Sequence, residues 1–235
     1  MARVVKHPDV RRDELLDVAQ QLIAEVGYEA MSVEAVTRAT QVAKGTFYHY
    51  FASKEDMLGE LLQRLMDGLF AHLNEQAAAA QGNAIDKLAA ILRASSEYKA
   101  LQLPDYLSSA SLFRPENYAL RHRLYEGWAA TVRGIIAPVL AEGLAEGSFH
   151  VGSVEFAADV LVSLWFDTAQ RILERAVTEP DVAGFVKVLE RDTAALWAAQ
   201  ERLLGVPAGS FTVPMPPNAD VLFEPIYSEL LEVMK

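Results

Sequence analysis

The chain has 235 residues, of which 51% are hydrophobic and none is cysteine. Its length allows a substantial buried core, its apolar content excludes a mostly disordered chain, and the absence of cysteine excludes disulfides and zinc-thiolate sites. The net charge of −11 comes entirely from residues 55–235, because residues 1–54 contain seven basic and seven acidic side chains. Since we find no apolar run of transmembrane length and no signal-peptide core, we expect a soluble cytoplasmic protein.

Apolar periodicity predicts a first helix over residues 11–27, which Gly27 ends. The apolar side chains that recur in it at helical spacing are Leu15, Leu16, Ala19, Leu22, Ile23 and Val26. Ser32 is in position to cap a short second helix. The inward stripe of that second helix consists of Val33, Val36, Thr37 and Thr40.

The next stretch, AKGTFYHYFASKEDML, places four aromatic rings within five positions and interleaves them with polar side chains. It predicts a third helix, from about Lys44 to Tyr50, too short to be stable by itself. Phe47, Tyr50 and Phe51 share one face of this helix and can anchor it. The residues expected to cover that face are Leu22, Val26, Val36 and Met57.

Tyr48 points away from the anchoring face, beside Lys44 and Thr46, and Gly45 leaves room for another backbone to come close. A short exposed helix on a rigid platform, preceded by a capped helix and a tight turn, is the helix-turn-helix arrangement, and it fits the major groove of DNA. Lys54 begins the next helix behind a serine cap, where free backbone amides favour an anion such as a phosphate. Each residue alone is explained as well by core or surface packing, but their combination favours a DNA-binding surface.

The fourth helix, capped by Ser53, is apolar on more than one face, as a connecting helix packed on several sides would be. Further helices are predicted over residues 84–102, 104–112, 116–146 (with a kink at Pro138), 156–177 and 181–205. The last thirty residues hold five of the ten prolines and predict an extended tail with a closing helix near 218–234. We therefore predict an all-α protein with a helix-turn-helix domain (1–54), a helical effector-binding and dimerisation domain (55–205) and a Pro-rich C-terminal extension (206–235).

Residues 9–58 resemble the DNA-binding domain of the tetracycline-repressor (TetR) family of bacterial transcription regulators. The most specific match is the run from Val42 to Phe51, followed by Ser53, Lys54 and Glu55. Matches outside that run are Ala19, Gly27, Ser32, Val33 and Val36. The turn departs from the family, which favours Ala and Gly where this chain has Thr40 and Gln41. A positive φ at Gln41 would cost on the order of 1 kcal/mol.

This resemblance implies a repressor without a cofactor, which a small-molecule ligand releases from a palindromic double-stranded DNA operator. Phosphate or base-edge contacts are implied for Ser32 and Thr46, groove contacts for Lys44 and Gly45, and backbone contacts for Tyr48, His49 and Lys54. The basic residues Arg3, Lys6, Arg11 and Arg12 are either a solvated tail or an arm that enters a groove.

The two long apolar helices near the end of the chain have more apolar surface than one neighbour can cover, so we expect a homodimer through residues 156–177 and 181–204. Candidate interface residues are Val160, Leu164, Phe185, Val188, Leu189, Leu196 and Trp197. The resemblance also implies an effector pocket in the larger domain, although ordinary core packing explains each of its rings equally well. Candidate effector-binding residues are Tyr98, Phe113, Trp128, Trp165, Phe166, Asp167 and Gln170.

Two other classes of protein are weighed against this interpretation. A helical-bundle enzyme of the di-iron type needs Glu-x-x-His pairs, and none of the five histidines follows a glutamate at that spacing. We find no nucleotide-binding or hydrolase motif either, so the protein is not expected to be an enzyme. The acidic balance of the chain leaves room for a protein-binding module that has lost DNA binding.

Overall fold

The computed structural model describes residues 7–102, 117–212 and 215–233. The helices in this part of the chain are α1 (Pro8–Ala30), α2 (Val33–Ala39), α3 (Lys44–Tyr50), α4 (Lys54–Ala79), α5 (Ala84–Leu101), α6 (Tyr118–Glu146), α7 (Val154–Ala176), α8 (Val182–Leu204) and α9 (Ala219–Val233). The all-α prediction is confirmed. The helix predicted over 104–112 lies outside the described residues.

Helices α1 to α3 and the start of α4 enclose one end of a continuous hydrophobic core. Its buried side chains include Leu15, Leu16, Ala19, Ile23, Val36, Phe47, Phe51 and Met57. Gly27 was predicted to end α1, and with φ 78° and ψ 161° it instead breaks the helix, which continues to Ala30. Tyr28, after the break, is buried, and Val26, before it, is 53% exposed. The expectation that Val26 packs under the aromatic rings of α3 is therefore wrong.

Serine caps define the starts of α2 and α4, as the sequence predicted. Ser32 Oγ accepts a hydrogen bond from the Ala35 amide at 3.1 Å, and Ser53 Oγ accepts one from the Asp56 amide at 3.1 Å. The turn between α2 and α3 places Gln41 at φ 55°. This left-handed conformation is costly for a residue with a Cβ, so the departure from glycine at this position carries the expected strain.

Helix α4 runs along this continuous core away from α1 to α3 and packs against α5 and α6. Two glycines make close contacts possible. A Cβ at Gly59 would lie 2.9 Å from Leu120 of α6, and a Cβ at Gly68 would lie 2.6 Å from the hydroxyl of Tyr98 of α5. The two glycines thus let side chains of both neighbouring helices approach the backbone of α4.

Polar contacts also join α4 to α1. Arg64 donates hydrogen bonds to Asp17 at 2.7 Å and to Gln20 at 2.6 Å. Arg12 pairs with Glu60 and lies over the ring of Phe51, and Arg11 pairs with Glu14 within α1. Both arginines therefore contribute to the fold and do not form a free arm. Arg3 and Lys6 lie outside the described residues.

Helix α6 is long and apolar enough to cross a membrane by length and composition alone. In the structure it packs against α4, α5 and α7. Its buried side chains include Leu120, Leu124, Trp128, Ile135, Ile136, Val139 and Leu140. These buried side chains account for part of its apolar composition, and Pro138 lies within the helix without ending it.

The C-terminal segment folds back on α8. The Phe211 amide donates to the buried carboxylate of Glu201 at 2.9 Å, and the Tyr227 hydroxyl donates to the Glu179 carbonyl at 2.7 Å. The ring of Phe185 lies 5.2 Å from that of Tyr227 and 6.4 Å from that of Phe223. Phe185, Tyr227 and Phe223 form a second cluster together with Ile172 and Ala176 of α7 and with Val177, which follows it.

This cluster corrects the predicted dimer interface. Phe185, Val188 and Leu189 were expected to face a second copy of the chain, but all three are buried in the same chain as α9. Sequence periodicity identified their apolar face correctly. The closing helix predicted near 218–234 is present as α9, but periodicity could not show that it covers these three residues.

We predict that Gly68→Ala lowers the free energy of unfolding in the native chain and raises it in a Tyr98→Phe background. The hydroxyl oxygen is the atom that an added methyl meets, whereas the next ring atom is 3.7 Å away. Without the hydroxyl, alanine should stabilise α4 by up to about 1 kcal/mol through its helix propensity. Urea unfolding of the four proteins measures this coupling, which should be about 1 kcal/mol or more.

Gly134→Ala in α6 is the matched control, because no atom lies within 4 Å of its added methyl. It should stabilise both backgrounds equally. If Gly68→Ala has the same effect with and without the Tyr98 hydroxyl, close contact is not the reason for glycine at this position.

Candidate DNA-binding and effector sites

The outward face of α3 is polar and exposed, and its inner face is buried. Lys44, Gly45, Tyr48 and His49 are exposed, and Thr46 is half-buried. Phe47 lies beneath them with no exposed surface. The arrangement predicted from the sequence is therefore present, with a ring face that anchors the helix and a polar face directed to solvent.

Tyr48 and His49 are held by neighbouring rings. Tyr48 is 50% exposed, and its ring packs edge-on against Phe47 with centroids 5.3 Å apart. The His49 ring packs edge-on against Tyr50 at 5.0 Å. These contacts restrict the ring orientations while leaving the polar atoms on the outside.

Gly45 has no structural reason to be glycine in the isolated chain. Its φ is not positive, and an added Cβ would meet no atom within 4 Å. Within a helix, alanine would be the more stable residue by about 1 kcal/mol. The open space beside Gly45 is therefore available to a molecule that approaches α3 closely.

Lys44, the first residue of α3, forms an ion pair with Glu34 in the first turn of α2. Hydrogen bonding to Lys44 lowers the pKa of Glu34, and the same bond raises the pKa of Lys44. Both groups therefore remain charged at neutral pH. Sequence analysis did not identify Glu34, because its partner lies ten residues away across the turn.

Ser32 and Lys54 lie at the starts of α2 and α4. The Ser32 hydroxyl accepts a capping bond and can still donate its own proton. Lys54 Nζ lies 4.1 Å from the centroid of the Tyr28 ring and donates to the Glu29 carbonyl at 3.3 Å. Lys54 thus connects the start of α4 to the end of α1 in this structure.

An aromatic cluster in the larger domain contains two of the predicted effector-binding residues. The ring of Tyr125 lies 5.5 Å from that of Trp128 and 5.2 Å from that of Phe166. Trp128 Nε1 donates to Gln63 Oε1 of α4 at 3.0 Å. Burial raises the pKa of the Tyr125 hydroxyl. Tyr125 was not among the predicted residues, although it lies one helical turn before Trp128.

Other predicted effector-binding residues lie apart from this cluster. The ring of Tyr98 lies 5.2 Å from that of His72. Asp167 is exposed, and Gln170 donates to Glu174 of its own helix at 2.6 Å. Phe113 lies outside the described residues.

The indole of Trp165 points toward α8, where it donates to Gln200 Oε1 at 2.7 Å. Gln200 has no exposed surface. Its Nε2 and the buried Trp197 Nε1 make no hydrogen bond in the described part of the chain. Because buried donors are normally paired, an acceptor atom is expected here. Sequence analysis missed Gln200, since nothing in its spacing marks a buried amide.

The outer faces of α7 and α8 form a shallow groove. It is lined by Leu164, Thr168, Arg175, Asp192, Ala195, Leu196 and Ala199. Asp192 accepts hydrogen bonds from Arg191 and Arg175, which hold its pKa below the usual value. Among the described residues, no group of three or more His, Asp or Glu side chains could hold a metal ion.

Comparison with known proteins agrees with this arrangement. A model of bacterial regulatory proteins of the tetR family matches residues 15–61. The chain is 30% identical over 154 residues to the transcriptional repressor KstR2 of Mycobacterium tuberculosis, which covers 64% of this chain and 74% of that protein. It is also 30% identical over 142 residues to the fatty acid metabolism regulator protein of Bacillus subtilis, with 59% and 71% covered.

The structure of the fatty acid degradation regulator FadR from Bacillus halodurans is similar over 86% of this chain and 97% of that one, with a TM-score of 0.54 and 25% identity. The named relatives are transcription regulators and not enzymes. The chain therefore belongs to the tetR family of bacterial regulatory proteins and is a DNA-binding transcriptional repressor regulated by a ligand.

Proposed function

We propose that this repressor acts in the cytoplasm as a homodimer, that each α3 enters the major groove of a palindromic operator, and that a largely apolar small molecule releases it. The observation that carries the DNA part of this proposal is the two-sided character of α3. Phe47 and Phe51 are fully buried behind it, while Lys44, Gly45 and Tyr48 are exposed in front. Such a helix is held rigidly and offers its polar face to a partner.

The individual roles follow from position. Lys44 and Gly45 face the groove, and Gly45 lets the backbone of α3 approach the DNA. Thr46 and Ser32 offer hydroxyl groups near helix N-termini, where free amides also favour phosphate. The remaining three residues contact the phosphate backbone: Tyr48, His49 and Lys54. Lys54 reaches a phosphate by rotating its flexible side chain away from Tyr28.

The groove between α7 and α8 supports a four-helix dimer interface formed by residues 156–177 and 181–204. Leu164 and Leu196 offer apolar surface there, and Ala195 and Ala199 let a second pair of helices come close. Phe156 extends this face at the start of α7 and is 68% exposed. Two copies joined in this way would present two α3 helices, which need a spacing of about 34–36 Å to meet successive major grooves.

The effector is proposed to bind beside the cluster of Tyr125, Trp128 and Phe166. Aromatic side chains favour an apolar or aromatic ligand, and the B. subtilis relative is named for fatty acid metabolism. The unpartnered Gln200 Nε2 lies near a further predicted residue, Trp165, and suits a ligand that carries an acceptor oxygen. Of the other predicted residues, Tyr98 lies against α4. Asp167 and Gln170 are proposed to form the polar edge of the effector pocket.

We predict that Gly45→Ala lowers operator affinity by roughly tenfold or more, about 1.4 kcal/mol, while the free energy of unfolding stays equal or rises. The added methyl meets no atom of the chain, so lost affinity would report contact with DNA. Fluorescence anisotropy with an operator obtained by in vitro selection measures the affinity, and Gly127→Ala in α6, whose surroundings are equally open, is the control.

Two further variants complete this test. Lys54→Ala should lower the salt dependence of binding by about one unit, and Tyr48→Phe should weaken binding to all sequences. If Gly45→Ala, Tyr48→Phe and Lys54→Ala all bind DNA as the native chain does, α3 and the start of α4 are not the DNA-binding surface.

We predict a dimer at micromolar concentration that Ala199→Glu dissociates. Ala199 lines the open groove, so glutamate can be accommodated in one chain but would bury a second carboxylate in the groove that Asp192 also lines when two chains meet there. Sedimentation velocity measures the mass. Ala183→Glu, an exposed position elsewhere on α8, should leave the dimer intact. A native chain that is monomeric yet binds a palindrome tightly would contradict the proposal.

For the effector, we predict that a compound found by thermal-shift screening weakens operator binding. Because this coupling is reciprocal, operator DNA should lower the affinity for the compound by the same factor. Trp128→Ala should lower its affinity, whereas Tyr118→Ala, an exposed ring on the same helix, should not. A compound that stabilises the protein without changing operator affinity is not the effector. If Trp128→Ala and Trp165→Ala both leave a true effector's affinity unchanged, the pocket lies elsewhere.

A further inference from the structure

We propose that Glu34 is a specificity-determining residue, whose carboxylate pairs with Lys44 and thereby weakens binding to non-specific DNA more than binding to the operator. This inference rests on the proposed position of α3 in the major groove. It concerns a residue of α2 that belongs to neither the buried ring face nor the predicted DNA contacts.

The position of the pair supports this role. Glu34 lies two residues after the Ser32 cap of α2, and Lys44 is the first residue of α3. The carboxylate is therefore located where the N-termini of two helices come together, on the side that carries the proposed DNA contacts. A phosphate that approaches Lys44 on this side also approaches Glu34.

Lys44 is the basic side chain of the proposed groove-facing pair. The other lysine assigned to DNA, Lys54, lies over the Tyr28 ring. In the absence of DNA, the positive charge of Lys44 on α3 is thus paired with the negative charge of Glu34 on α2.

The pair is open to water, because the side chains of Lys44 and Glu34 are 55% and 56% exposed. Ion pairs at such positions contribute little to stability, so the pairing is easily exchanged for a better contact. Glu34 therefore contributes little to the stability of the fold. Its role in the selection of a DNA sequence can be tested without unfolding the protein.

The preference for the operator over random DNA depends on which contacts replace the ion pair of Lys44 and Glu34. On random DNA, Lys44 gains a mobile phosphate contact and Glu34 is brought near the phosphate charge, so the net gain is small. At a matching base pair, the Lys44 ammonium can donate directed hydrogen bonds to guanine O6 and N7, which compensates for the lost pair. A repulsive group that acts on all sequences but is offset only at the correct one increases specificity.

The test is Glu34→Gln, with binding to the selected operator and to a random-sequence duplex of equal length measured over a range of salt concentrations. We expect affinity for the random duplex to rise about three- to tenfold. The salt dependence on that duplex should increase by about one unit. Operator affinity should change less, so the ratio of the two affinities falls.

Glu25→Gln is the matched control for the change of net charge, because Glu25 is exposed on α1 and accepts a hydrogen bond from Gln21. It should shift both affinities slightly and equally. In a Lys44→Ala background, Glu34→Gln should no longer change the ratio of operator affinity to random-duplex affinity. The lysine charge that this substitution would free from the ion pair is then absent. Unchanged thermal unfolding of Glu34→Gln confirms that the fold is intact.

Equal gains on both duplexes would overturn the inference, because Glu34 would then repel DNA without selecting among sequences. No change on either duplex would also overturn it. If Gly45→Ala and Lys54→Ala weaken binding while Glu34→Gln leaves the ratio unchanged, only this inference fails. If none of these variants has an effect, the proposed DNA-binding surface itself is wrong.

Discussion

The arrangement of the molecule depends on α4, an uninterrupted helix that runs along one continuous core from the helices around α3 to those of the larger C-terminal part. Met57 and Leu58 near its start are buried with the anchoring rings of α3, and Leu69, Phe70 and Leu73 are buried near its other end. A hydrogen-bonded helix bends little, so displacement of its far end must be matched at its near end. Arg64 strengthens this link, since it connects the middle of α4 to α1.

The contacts along α4 suggest how a ligand could act on that helix. Trp128 of the aromatic cluster donates a hydrogen bond to Gln63. The Tyr98 hydroxyl lies so close to Gly68 that an added Cβ would be only 2.6 Å from it. A molecule that moves these rings therefore acts directly on α4. Allosteric coupling of about 1–3 kcal/mol is enough to change DNA affinity 5- to 150-fold. Displacement at a few close contacts is a physically reasonable source of that energy.

Local signals predicted the local structure well. Ser32 and Ser53 marked helix starts correctly because side-chain capping depends on the residues immediately around the cap, whereas Gly27 marked a break within α1 and not its end. The two faces of α3 followed from helical spacing alone. Val26 was misplaced because helical spacing identifies an apolar position but cannot show whether another element covers it.

Features that depend on distant partners were not predictable. The pair of Glu34 with Lys44, and the bond from Trp165 to Gln200, join residues on different helices whose packing had to be known first. The dimer face was misjudged for the same reason. Phe185 looked like an interface residue because spacing could not show that the closing helix predicted near 218–234, which contains Phe223 and Tyr227, packs on it.

That C-terminal segment has consequences for both domains. By burying the apolar surface around Phe185 and Leu189, it leaves the groove around Ala195 and Ala199 as an apolar face of α8 that remains open to a second chain.

The C-terminal segment also approaches the end of α1, because a Cβ at Gly27 would lie 3.8 Å from the Glu229 carboxylate of α9. Helix α9 thus lies beside the point where α1 breaks. Helix α9 packs on α8 through the rings of Tyr227 and Phe223, which lie against Phe185. The C-terminal segment therefore lies against α8 and near the break in α1, so a tilt of α4 that moves α1 would also change the distance between α1 and α9.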